Sequence, residues 1–68
     1  GGTKACVIEI KVCKEKESRA KKANEAIEQI LENHYADAIF EDENITSVNA
    51  VGIAFSGKNC FISCKKIK

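Results

Sequence analysis

Residues 6–13, Cys-Val-Ile-Glu-Ile-Lys-Val-Cys, alternate with period two and are rich in β-branched side chains, the pattern of a strand. Cys6, Ile8, Ile10 and Val12 fall on one side of it; Val7, Glu9, Lys11 and Cys13 fall on the other. The first set is uniformly apolar and is expected to face the core. A polar run, Lys14-Glu15-Lys16-Glu17, follows the strand. Ser18 then has the chemistry and position of a helix N-cap. Behind it Ala20, Ala23, Ile27, Ile30, Leu31 and His34 recur at three- and four-residue steps, a narrow apolar stripe on a charged helix that ends near Asn33. Glu15 before Arg19 and Glu17 before Lys21 have the favourable acid-first order at four residues, provided the first turn starts early. Residues 35–43 have no clean period: Ala36, Ala38, Ile39 and Phe40 fit either a continued helix or a short extra turn that tucks Phe40 under the sheet, and a broken helical extension is the favoured reading.

Two further strands are expected at roughly 46–55 and 60–67, with Ser56-Gly57-Lys58-Asn59 between them. A type II′ turn at Gly57-Lys58 puts glycine where φ must be positive. The register this forces pairs Phe55 with Cys60, Ile53 with Ile62 and Val51 with Cys64 on one face. A one-residue slip would scatter all six. The expected fold is therefore α+β in the order β-α-β-β: one helix packed on one face of a three-stranded sheet with a C-terminal hairpin. The predicted core sets Ile8, Ile10, Val12, Val51, Ile53, Phe55, Cys60 and Ile62 against Ala23, Ile27, Ile30 and Leu31. A right-handed crossover makes the first two strands parallel. Whether the first strand lies beside the second or the third is left open.

In this register the sheet's other face carries Val7, Glu9, Lys11 and Cys13, with Val48, Ala50, Gly52, Ala54, Phe61, Ser63, Lys65 and Ile67 from the hairpin. A solvated face should read polar, and this one does not. Val7, Lys11, Val48, Ala54, Phe61, Lys65 and Ile67 are accordingly expected to form an interface with a protein partner, most simply a second copy in a homodimer.

Composition narrows the picture further. At 68 residues, with 44% apolar and 31% charged side chains, the chain is globular in character. Gly1-Gly2-Thr3 reads as a tag scar or processed N-terminus, leaving 4–68 as one small domain. No apolar run approaches the roughly 18 residues of a membrane helix, so no membrane partner is expected. The net charge of +1 conceals segregation: residues 1–22 hold seven basic and three acidic groups, 23–47 hold seven acidic and no basic groups, and 48–68 hold four basic and no acidic groups. Lys11, Lys65 and Phe61 on one face raise single-stranded nucleic acid as a ligand. One aromatic, two lysines and a single arginine, Arg19, give it little support, and nucleic acid is set aside as a partner.

The four cysteines suggest a disulfide-braced secreted domain. Cys60 and Cys64, four apart on one strand, lie about 13 Å apart and cannot bridge. Cys6 and Cys64 are the candidate pair, if strands one and three are antiparallel neighbours. Small hydrophobic roles for free thiols are nevertheless the favoured account and slightly favour a cytoplasmic setting over a secreted one. A metal site from three cysteines and His34 is set aside, and His34 is read as a helix-end residue. No nucleophile–base pair, phosphate-binding glycine loop or convergent carboxylate pair is apparent. The expectation is a non-enzymatic interaction module without catalytic residues, metal or cofactor. Its alternatives are a secreted disulfide-braced inhibitor or effector and a sheet-surface binder of single-stranded nucleic acid. The element order and length resemble the dodecins and a small sporulation-associated family in layout only. The flavin pocket with its tryptophan, which the dodecin pattern implies, has no counterpart in a chain without Trp.

Overall fold

The computed structural model describes residues 2–14, 18–34 and 37–68. Its elements are β1 (Thr3–Val12), α1 (Arg19–Glu32), α2 (Asp37–Glu41), β2 (Ile45–Ser56) and β3 (Asn59–Lys66). The sheet order is β1-β2-β3, with β1 parallel and β3 antiparallel to the central β2. This is the expected α+β arrangement, one main helix on a three-stranded mixed sheet with a C-terminal hairpin. The expected pairs Glu15–Arg19 and Glu17–Lys21, and the Tyr35 end of the helical extension, lie outside the described residues.

Local chemistry sets the element ends. The Ser18 hydroxyl accepts a hydrogen bond from the Lys21 amide at 3.2 Å and caps α1. At the other end Asn33 is the C-cap, its N–H bonded to the Gln29 carbonyl, and His34 follows with φ of 58°, the left-handed conformation common just past a helix. The hairpin register is the predicted one, Phe55 with Cys60, Ile53 with Ile62 and Val51 with Cys64. Gly57 has φ of 57°, and Lys58 has no positive φ, as a II′ turn requires. Lys68 donates from Nζ to the Phe40 carbonyl at 2.8 Å and the Asp42 carbonyl at 3.2 Å, fastening the C-terminus to the region of α2.

The helix sits on the opposite face of the sheet from the one expected. α1 buries Ala23, Ala26, Ile27 and Ile30 against Val48, Ala50 and Ala54, all three at 0% exposure. Burying Ile27 and Ile30 contributes about 1.5–3 kcal/mol each. The predicted core is instead turned outward: Ile8 is 55% exposed, Ile10 58%, Val12 84% and Ile62 59%. Phe55 and Cys60 are also exposed, while Val51 and Ile53 are half-buried. Leu31, expected inside, is exposed, and Ala26, absent from the predicted stripe, is buried.

The physical reason is side-chain size. A Cβ added at Gly52 would overlap the Ala23 carbonyl oxygen and come within 3.1 Å of the Ala26 Cβ. Small residues on both elements let the helix backbone settle almost onto the strand, which the Ile- and Val-rich face does not permit. The surface expected to receive a partner is thus occupied by the chain's own helix. Val48 and Ala54 lie fully beneath it, and Val7 and Ile67 pack against the Ile27–Ile30–Ala50 cluster. A hydrogen bond of 2.7 Å from the Ser63 hydroxyl to Asn24 Oδ1 ties α1 to β3 on the same face.

Gly52→Ala should therefore destabilise the fold by about 1–3 kcal/mol through overpacking. Gly57→Ala should cost about 1 kcal/mol through its positive φ, with nothing within 4 Å to collide with. Urea denaturation of both variants checks the ranking. A Gly52→Ala protein as stable as the parent would contradict this packing.

Candidate active site on the edge strand

Glu9 and Lys11 stand two residues apart on β1, so their side chains leave the strand on the same face, the one that α1 covers. Their Cα atoms are about 7 Å apart from strand rise alone. Both are half-buried, the burial of β1 alternating so that Val7, Glu9 and Lys11 are sheltered and Ile8, Ile10 and Val12 are not. Their neighbours on β2 are Gly52 beside Glu9 and Ala54 beside Lys11. Neither neighbour has a side chain long enough to cover the charged groups. On its other side β1 is an edge strand, without a strand partner among the described residues. A carboxylate and an ammonium are therefore held on one face at an open border of the sheet, with α1 above that face.

Neither group is engaged in an ion pair or side-chain hydrogen bond among the described residues; the ion pairs formed there are Lys22–Glu25 at 3.6 Å and His34–Asp37 at 3.0 Å. Chemically, the carboxylate can accept a proton or a hydrogen bond from water, and the ammonium offers a fixed positive charge to an anionic group. No group of three His, Cys, Asp or Glu side chains close enough to hold a metal ion forms among the described residues.

The other candidate residues disperse. Phe61 is 41% exposed and Lys65 is exposed, both on β3 and separated from β1 by β2. Cys6 and Cys64 are free thiols on β1 and β3, and the intervening β2 removes the neighbourhood that a Cys6–Cys64 bridge needs. His34 is exposed at the end of α1, with Nδ1 3.0 Å from the Asp37 carboxylate, a contact that closes the turn into α2.

A family model described as the PD-(D/E)XK nuclease superfamily matches residues 2–65. No curated protein and no solved structure matches the chain. The second half of the motif in that description, an acid, any residue and a lysine, is spelled once in the whole sequence, by Glu9-Ile10-Lys11. Its Pro-Asp half has no counterpart in these 68 residues, which contain no proline and no acid before Glu9. The match overturns three expectations: a non-enzymatic module, the absence of an enzyme, and the dismissal of nucleic acid as a partner. The signal that could have found the site was the three-residue spelling itself, masked because alternating charges on a strand also describe a solvated face. With 64 of its 68 positions inside the matched range and the Glu-x-Lys signature on one strand face, the chain belongs to the PD-(D/E)XK nuclease superfamily.

Proposed function

We propose that the protein hydrolyses phosphodiester bonds in nucleic acid, with Glu9 and Lys11 as the catalytic residues of β1. The observation that carries this reading is the coincidence of the family's acid-x-lysine signature with a sheltered, otherwise unengaged carboxylate–ammonium pair at an open sheet edge.

Hydrolysis needs a water made nucleophilic and a way to accommodate negative charge as the phosphorus is attacked. Glu9 orients the water and accepts its proton as the new P–O bond forms; the P–O bond on the opposite side breaks, and its oxygen leaves and takes a proton from solvent. Lys11 is placed to stabilise the charge that grows on the non-bridging oxygens, an interaction stronger in a partly water-excluded setting than in bulk solvent. Sheltering on the helix side of the sheet supplies that setting, and the free edge of β1 supplies access. Nucleases commonly bind divalent cations through several carboxylates. Here Glu9 is the one acid of β1, and the described residues form no three-donor cluster, so they do not make a complete cation site. No step is assigned to a metal.

Glu9→Gln should slow cleavage of labelled duplex and single-stranded oligonucleotides by about 10²–10⁴-fold, the usual contribution of a general base. Lys11→Met should lower kcat by at least about tenfold and leave far-UV circular dichroism unchanged. Unaltered cleavage by the Glu9→Gln protein would overturn the assignment.

A further inference from the structure

Beyond Lys11, β1 ends at Val12 and the chain continues through Cys13 and Lys14 into an open groove of about 780 Å³. The groove is also lined by Arg19, the first residue of α1, and by Ser56 to Asn59 of the hairpin turn. Among the described residues its charged lining is Lys14, Arg19 and Lys58, all exposed and all basic. Glu15 and Glu17 are close in sequence, yet residues 11–22 as a whole hold six basic groups against two acidic. The opposite end of the 42 Å long molecule, where α1 ends and α2 lies, carries Glu32, Asp37, Glu41, Asp42 and Glu43, beside Lys4, Lys66 and Lys68.

This placement runs against the helix's own electrostatics. α1 has no acid in its first turn and no base in its last, so it forgoes the favourable interactions with its macrodipole at both ends. Arg19 stands at the end where a cation is least favoured. The macrodipole does not favour such an arrangement, whereas an anionic ligand lying across this end does. The groove begins at Val12, the residue after Lys11, so one polyanion reaches both. It is open rather than enclosed, which suits a chain that passes through it.

We infer that the groove between the end of β1, the start of α1 and the β2–β3 turn holds the phosphate backbone of the nucleic acid, running from the Glu9–Lys11 site past Lys14, Arg19 and Lys58. The inference rests on the proposed action on nucleic acid and adds the direction in which the substrate leaves the site. Contact is with phosphates, so it carries no sequence preference and depends steeply on salt.

The test is fluorescence anisotropy of the full chain with a labelled DNA duplex over a series of salt concentrations. Neutralising Arg19→Gln and Lys58→Gln together should weaken binding about tenfold at low salt. It should also flatten the slope of log K against log salt by about two, close to one unit per lost phosphate contact. Lys4→Gln with Lys66→Gln, an equal charge change towards the other end, should leave both within about twofold. Both pairs are exposed, and circular dichroism verifies folding; removing Arg19 relieves an unfavourable charge on α1, so loss of the fold does not explain weaker binding. Equal effects from the two pairs, or an unchanged slope for the Arg19–Lys58 pair, would overturn the groove. Glu9→Gln should bind with the parental slope. If that variant also cleaves normally while the groove pair still flattens the slope, the catalytic assignment fails and the groove stands.

Discussion

The close approach of α1 to β2 at Gly52 is the constraint on which the rest of the molecule depends. Because the Ala23 carbonyl lies where a Cβ would project, position 52 accepts only hydrogen, and Ala50 and Ala54 on the same face are fully buried. Once that contact is made, the face of every strand is decided, since strand side chains alternate strictly. Val7, Glu9 and Lys11 of β1 must then share the helix side with Val48, Ala50, Gly52 and Ala54. The charged pair is sheltered as a by-product of the same contact that forms the core.

Edge placement complements that shelter. A carboxylate on a central strand under a helix would be closed off, and one on the outer face would be fully hydrated. On β1, Glu9 and Lys11 have the helix on one side, a glycine and an alanine on the next, and an open strand border on the third. The parallel pairing of β1 with β2 also fixes polarity. Both strands run from the acidic end, where Thr3 donates to the Asn44 carbonyl at 2.9 Å, to the basic end at the hairpin turn. Lys14, Arg19 and Lys58 thereby gather at one end and Glu32, Asp37, Glu41, Asp42 and Glu43 at the other, with Glu9 and Lys11 between them.

Much of this was legible in the sequence. Ser18, Asn33 and Gly57 announce their elements through capping and positive-φ chemistry, and period two with a glycine turn fixes the hairpin register. Face identity was not legible from hydrophobicity. Both faces are apolar, one built from Ile, Val and Phe and the other largely from Ala, Gly and Val. Area-based reasoning favours burying the larger set, but a helix approaches a sheet as closely as the intervening side chains permit, and the small set permits more. That single inversion displaced the predicted core and turned a filled interface into an apparent free surface. It also disguised the site. On a face assumed to be wet, Glu9 and Lys11 are ordinary surface charges; under a helix they need an explanation. The three residues that spell the signature were visible throughout, but a motif so short acquires meaning only from the family match and its setting on β1.

The inversion leaves one further consequence, in the thiols. Cys6, Cys60 and Cys64 project from the outer side of the sheet and are exposed, whereas Cys13 is 4% exposed. The two sides of one thin sheet thus carry different chemical tags, three open to an alkylating reagent and one buried in the folded state. Modification of the first three reports on whatever shields the isoleucine-rich side, and modification of Cys13 reports on opening of the fold around it. The protein is built with its own two-channel footprinting labels, one for association and one for unfolding.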